Sequence, residues 1–129
     1  MNGRFLTDTN IIIALFAQDL AVQRRLKAAE EVFLASPVLG ELYFGARKSN
    51  PVFENVARID QLAQRSSILH CDLETAKWYG IIKNELRTKG RPIPENDIWI
   101  AAIAFQHELI LVTRDSHFDA IDDLHVQRW

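Results

Sequence analysis

Pro94-Glu95-Asn96-Asp97-Ile98-Trp99-Ile100-Ala101-Ala102-Ile103-Ala104-Phe105 opens on a proline and three polar residues and then runs apolar on every side. Wound as a helix, such a segment has no solvated face, so it is expected at the centre of the fold. Pro94 suits the position just before or at the first turn, and Asn96 or a neighbour is expected to cap it. Asp97 then sits in the first turn of a buried helix. A lone acid there answers the helix dipole, worth ~0.3–1 kcal/mol. It means more if other acids arrive at the same place.

Working outward, Asp72 with Thr75 is expected to cap a helix running to about Lys89, with Trp78, Ile81, Ile82 and Leu86 as its apolar stripe. Gly90 stops it, and Arg91-Pro92-Ile93-Pro94 is a stiff connection, extended before each proline. Beyond the central helix, Leu109-Ile110-Leu111-Val112-Thr113 is strongly β-type, and Arg114-Asp115 and Ser116-His117-Phe118 follow directly. Asp115 thus stands where a strand ends and a helical turn begins. Leu124-His125-Val126 reads as a last strand.

The first half has the same grammar. Arg4-Phe5-Leu6-Thr7 reads as a strand, Asp8-Thr9-Asn10 follows, and Ile11 to Phe16 is an apolar helical start. Asp8, Thr9 and Asn10 can each serve as the cap, which makes an acid among them more notable. Ala21 to Glu30 is helical with Arg24, Arg25 and Lys27 exposed, and Val32-Phe33-Leu34-Ala35 is a buried strand. Ser36-Pro37 gives a cap followed by a first-turn proline, and Glu41 comes a turn later among apolar neighbours. Gly40 and Gly45 weaken that helix by roughly 1 kcal/mol each and suggest close approach of another helix or a partner chain. Pro51 to Arg65 is amphipathic, with Val52, Phe53, Val56, Ile59, Leu62 and Ala63 at three- and four-residue spacings; Ser67-Ile68-Leu69-His70 is a further strand.

With 129 residues, 48% hydrophobic and 25% charged, the chain is expected to form one globular domain over 1–129. A formal net charge of -2 neither requires nor excludes a nucleic-acid partner. Cys71 is the lone cysteine, which excludes a disulfide framework and a cysteine-based zinc site. Met1-Asn2-Gly3-Arg4 leads straight into the first strand with no signal peptide, and no apolar run approaches the roughly 18–20 residues of a membrane span. A cytoplasmic protein is expected. His70, His107, His117 and His125 show no ligand-type spacing and read as structural or exposed.

Short apolar strands alternating with helices predict an α/β fold with a parallel sheet covered on both faces. All strand carboxyl ends then share one edge, where ligands bind. Asp8 and Asp115 follow two strands there, Asp97 opens the helix entering a third, and Glu41 starts the helix after the second strand. Four carboxylates at one rim are costly unless a cation neutralises them. An all-oxygen set favours magnesium or manganese over zinc.

Four blocks carry a family resemblance: Phe5-Leu6-Thr7-Asp8-Thr9-Asn10, Ser36-Pro37-Val38-Leu39-Gly40-Glu41-Leu42, Pro92 to Ala102, and Leu111-Val112-Thr113-Arg114-Asp115-Ser116-His117-Phe118. In this order and spread over nearly the whole chain, they resemble the PIN-domain ribonucleases of the VapC toxin family. The resemblance implies a three-layer α/β/α domain around a mostly parallel sheet. It implies catalytic acids at Asp8, Glu41, Asp97 and Asp115, metal held by Asp8, Asp97 and Asp115, and supporting hydrogen bonds from Asn10 and Thr113. Asp119 is a rival for the fourth acid, which Asp115 fits better. It further implies Mg²⁺- or Mn²⁺-dependent cleavage of RNA to 5′-phosphate and 3′-hydroxyl ends, dimerisation, and silencing by a VapB-type antitoxin.

Lys83, Arg87, Lys89 and Arg91 either hold the RNA backbone or form a solvated helix end favoured by the dipole; Lys83 and Arg87 share one helical face. Leu42, Tyr43 and Phe44 offer more apolar surface than one helix face buries, which points to a homodimer. The alternative reading is a non-catalytic PIN-fold RNA-binding or interaction module, which the acidic rim disfavours because bare carboxylates repel phosphate. A phosphatase would want Asp-x-Asp where this chain has Asp8-Thr9-Asn10, and a receiver would want paired acids there and a lysine after its last strand.

Overall fold

A computed structural model describes residues 3–129. Met1 and Asn2, read above as leading into the first strand, lie outside the described residues. Five strands, β1 (Arg4–Thr7), β2 (Glu31–Ala35), β3 (Ser67–Leu69), β4 (Ile110–Val112) and β5 (Val126–Gln127), form one sheet in the order β3-β2-β1-β4-β5. Every neighbouring pair is parallel. Among the described residues six α-helices cover it, α1 (Thr9–Phe16), α2 (Leu20–Ala28), α3 (Ser36–Arg47), α4 (Val52–Gln64), α5 (Leu73–Lys89) and α6 (Glu95–Gln106), and a short 3-10 turn, Ser116–Ala120, follows β4.

Strand alternation sends side chains to two separate cores. Phe5 and Val112 pack with Ile11, Ala14 and Val22 against α1 and α2. Leu6 and Leu111 point into the larger core, with Val38 and Leu42 of α3, Ile59 of α4, Ile82 and Leu86 of α5, and Ile98 and Ile103 of α6. The result is a three-layer α/β/α arrangement. The segment that opened the sequence reading holds the middle of the larger core: Ile100 to Ala104 of α6 are all buried.

The chain places β2 and β3 on one side of β1, then crosses back to lay β4 and β5 on the other. The strand order therefore reverses between β1 and β4, with Thr7 of β1 beside Val112 of β4. Just beyond that pair the loops diverge and leave a crevice at the carboxyl edge of the sheet. The backbone N–H of Asp8 still donates to Val112 O at 2.9 Å, so the two loops leave the sheet held together.

Several local expectations change. Asp8, not Thr9 or Asn10, caps α1, and Asp72 forms with Thr75 a reciprocal capping box on α5. Gly90, at φ 67°, ends α5 in the left-handed conformation. Ser36 is already helical: Ala35 is the cap of α3 and makes no side-chain cap bond. Asn96 does not cap α6 either; Pro94 holds that position, and Asn96 Nδ2 donates instead to Pro37 O at 3.3 Å, joining α6 to α3. A Cβ at Gly40 or Gly45 would meet nothing within 4 Å, so neither marks close packing within the chain. Phe53 (88% exposed) and Ile81 (51%) belong to no apolar stripe. The buried face of α4 is centred on Ile59 and that of α5 on Ile82 and Leu86, and Phe53 and Ile81 point away from those faces. Leu42 is core, and the Tyr43 hydroxyl donates to Asp60, so of that trio Phe44 alone stays exposed. Among the described residues, no helix is long and apolar enough to cross a membrane.

Candidate active site

The crevice is built from four chain segments. Asp8 stands directly after β1, the second turn of α3 delivers Glu41, the first turn of α6 delivers Asp97, and the segment after β4 delivers Thr113 to His117. Asp8 and Asp97 are buried, at 4% and 7% exposure; Glu41 and Asp115 are partly exposed. Ligand-type atoms of Asp8, Glu41 and Asp97 lie within 4.8 Å of one another, and so do those of Asp97, Asp115 and His117. The four acids read from the sequence therefore come together in two trios that share Asp97. Asp119 is exposed and belongs to neither.

A hydrogen-bond lattice fixes the sheet side of the site. Thr113 Oγ1 donates to Asp8 Oδ2 at 2.7 Å and accepts the Asp115 N–H at 3.0 Å. Asn10 Nδ2 donates to Asp8 Oδ2 and to Thr113 Oγ1, both at 3.3 Å, while its Oδ1 accepts the Arg114 N–H at 3.0 Å. Asp8 Oδ1 takes the Thr9 N–H at 2.8 Å. Thr113, 1% exposed, thus links two of the acids directly, and Asn10 ties the loops after β1 and β4 together.

Burial is the main reason these carboxyls resist ionisation. It pushes Asp97 up to about 6, with the charges of Asp8 and Asp115 adding to the effect and the His117 hydrogen bond opposing it. Burial also raises Asp8, against the hydrogen bonds from Thr113 and Thr9; Glu41 and Asp115 raise it further. Mutual repulsion is therefore the lesser cause, since the low-dielectric surroundings already penalise the charged form.

The residues fit a divalent cation. Glu41 Oε1 is buried and has no hydrogen-bond partner among the described residues, a cost that a native fold ordinarily avoids. Its companions in the trio are two buried carboxylates, a hard oxygen set of the sort that magnesium and manganese accept.

His117 is the residue that sequence reading missed. Its Nδ1 stands 3.0 Å from Asp97 Oδ2 and 3.1 Å from Asp115 Oδ2, so it is neither merely structural nor merely exposed. No histidine spacing could show this, because its partners are carboxylates, one of them twenty residues away. The available signal was Asp115-x-His117 directly after a strand.

The four candidate RNA-binding cations lie around the end of α5. Lys83 pairs with Glu95 and Lys89 with Asp122, while Arg87 donates to Asn84 Oδ1 at 2.8 Å. Arg91 is exposed in the connection to α6. Lys83 and Arg87 line a cavity of about 740 Å³ with Tyr79, Ile93, Glu95 and Ile98. A second groove, of about 360 Å³, runs from Glu41 along Ile13, Phe16, Leu42 and Ile59.

The family described as PIN domain matches residues 5–124. Ribonuclease VapC2 of Haemophilus influenzae is 35% identical over 129 residues, spanning 98% of each chain. The chain belongs to the VapC family of PIN-domain ribonuclease toxins. The solved structures agree with this VapC assignment. A DNA-bound VapBC structure from Salmonella typhimurium superposes with a TM-score of 0.90 at 29% identity, covering 100% of this chain and 99% of the other. VapBC2 from Rickettsia felis, bound to a DNA fragment from its promoter, gives 0.89 at 28% identity over 98% of each chain. The acidic crevice is thus set in a VapC fold matched over nearly its whole length.

Proposed function

We propose that this protein is a metal-dependent endoribonuclease toxin, working in the cytoplasm as a homodimer and held inactive by a VapB-type antitoxin. The observation that carries the reading is the meeting of Asp8, Glu41, Asp97 and Asp115 at the point where the strand order reverses in a VapC fold. Asp8, Glu41 and Asp97 would hold Mg²⁺ or Mn²⁺, in place of the Asp8, Asp97 and Asp115 set that the resemblance implies, with Asp115 completing the rim. The cation supplies Lewis-acid polarisation of the phosphoryl oxygen and activation of water. Asp8 is held in one orientation by Thr113, Asn10 and the Thr9 N–H, which leaves one lone pair of Oδ1 for a cation without reorganisation. Asp115, its side chain one-third exposed, would orient the attacking water. The water oxygen bonds to phosphorus, the bond to O3′ breaks, and a proton goes to that oxygen, leaving 5′-phosphate and 3′-hydroxyl ends. Arg87 and Arg91 support the RNA backbone.

Relatives bearing the VapBC name support an antitoxin partner. The second groove is apolar along Ile13, Phe16 and Leu42 and reaches the Glu41 carboxylate, which suits a chain segment that carries an arginine to that acid. The exposed Phe44 supports a contact between copies.

Cleavage of RNA with Mg²⁺, Mn²⁺ or chelator, by the parent and by Asp97→Asn, tests the reading. Metal-dependent cutting by the parent and none by the variant is expected. A parent that binds RNA but cuts it in neither metal is the non-catalytic module instead. A transcript-wide map of 5′-phosphate ends after brief expression identifies the target. An inhibitory complex that survives loss of every Lys and Arg from the antitoxin tail would rule out inhibition by a cation.

A further inference from the structure

We propose that His117 is a cation ligand, forming with Asp97 and Asp115 a second position beside the all-oxygen one, and that this position prefers a first-row transition ion to Mg²⁺. The inference rests on the acidic crevice being a metal site, and it adds the identity of the metal.

Two anionic oxygens, Asp97 Oδ2 and Asp115 Oδ2, converge on one ring nitrogen at 3.0 and 3.1 Å. Nδ1 must present to them either its own proton or a cation. The separations suit both: neighbouring ligands in an octahedron with bonds of ~2.1 Å stand ~3.0 Å apart. The neighbouring trio favours a cation alongside: Asp97 stands there with Asp8 and with Glu41, whose buried Oε1 has no partner among the described residues. The imidazole is also aimed by the backbone: Asp115 Oδ1 accepts the His117 N–H at 2.9 Å, and Phe118, 1% exposed, anchors the turn in the core. The His117 side chain keeps 48% of its surface open, leaving room for water at the remaining coordination positions.

The two trios differ in chemistry. Asp8, Glu41 and Asp97 offer oxygen alone. Asp97, Asp115 and His117 offer two oxygens and an imidazole nitrogen, a donor that first-row transition ions accept readily. Mg²⁺ takes oxygen ligands and gives up its own water reluctantly.

Mn²⁺ is the probe because it is paramagnetic. Full-length parent, His117→Ala and His117→Asp are stripped with chelator, titrated with Mn²⁺ by electron paramagnetic resonance, and then challenged with Mg²⁺. The parent is expected to show nitrogen hyperfine coupling on bound Mn²⁺ and a fraction that Mg²⁺ displaces poorly. His117→Ala should lose the coupling and weaken Mn²⁺ there by about ten- to a hundredfold. His117→Asp restores an oxygen, so it should still bind both ions while losing the preference. Absence of nitrogen coupling in the parent, or an unchanged preference in both variants, overturns the proposal and leaves His117 as a hydrogen-bond donor. If the parent still cleaves RNA in Mg²⁺ in that case, the nuclease reading stands and only the His117 assignment falls. A parent that binds neither ion and cleaves in neither removes both.

Discussion

Asp97 has a price in the metal-free protein. Its folded pKa, about 6, lies above the ordinary 3.8 mainly because the carboxyl is buried. The folded state therefore binds protons more tightly than the unfolded chain between those two values. Stability should fall as pH rises from about 4 to about 6 and stay reduced above, by up to about 3 kcal/mol. Asp97→Asn removes the charge at nearly constant shape. In chelator at pH 7 it should be at least as stable as the parent by denaturant titration, with the difference shrinking by pH 4–5. A variant well below the parent at pH 7 would make Asp97 a structural group, held by its His117 contact, rather than a metal ligand.

Thr113 tests the lattice in the same way. Thr113→Val leaves the Asp115 N–H without its acceptor and Asp8 Oδ2 with only the longer Asn10 bond, costing about 1–3 kcal/mol. Metal-dependent cleavage should drop by about tenfold or more, while Thr113→Ser, which keeps the hydroxyl, should retain most of both. At this scale the positions of Asp8, Asp97 and Asp115 were legible, because each stands next to a strand end or opens a helix, whereas Asn10 and Thr113 came from the family resemblance alone. His117 was not legible, because its role depends on which way a five-residue turn faces.

Among the elements, α5 and α6 show how a local signal becomes a tertiary one. The Asp72–Thr75 box at the start of α5 was visible as a capping pattern. Its second use was not: Gln106 Nε2, at the end of α6, donates to Asp72 Oδ1 at 2.9 Å, and Thr75 Oγ1 bonds Gln106 Oε1. Asp72→Ala should therefore cost somewhat more than the ~1 kcal/mol of an ordinary cap. Thermal melts check this, and metal-dependent cleavage at low temperature should survive, since Asp72 belongs to neither acidic trio. α3 and α6 differ from α5 in having no side-chain cap bond at all. Their prolines set the first turn, and Asn96 instead joins one helix start to the other, which brings Glu41 and Asp97 to the same crevice.

For the whole molecule, divalent metal should act as a ligand of the folded state. At a hundredfold excess over its dissociation constant it should add about 2.7 kcal/mol. Thermal melts of the parent with and without Mn²⁺ or Mg²⁺ read that gain, and Asp97→Asn, which loses the carboxylate shared by both trios, should show little of it. Light scattering at micromolar concentration, without antitoxin, should give twice the mass of the chain. Phe44→Glu should shift that mass toward one chain if the exposed ring is part of the contact.

The sequence by itself determined the alternation of strands and helices, the burial of α6, and the placing of acids next to strand ends and helix starts. Those follow from periods of two and 3.6 residues and from capping chemistry, all of which act within a few neighbours. Only the tertiary structure decided that the strand order reverses between β1 and β4, and that Asp97 belongs to two trios at once. It likewise decided that Glu41 Oε1 has no hydrogen-bond partner among the described residues and that His117 turns toward the carboxylates. These depend on strand order and on the rotation of α3 and α6 about their axes. Those are set by packing Leu6, Val38 and Ile98 into one core, through contacts between residues far apart in the chain. The raised pKa of Asp97 belongs with them, because burial, its largest cause, exists only once that core has closed.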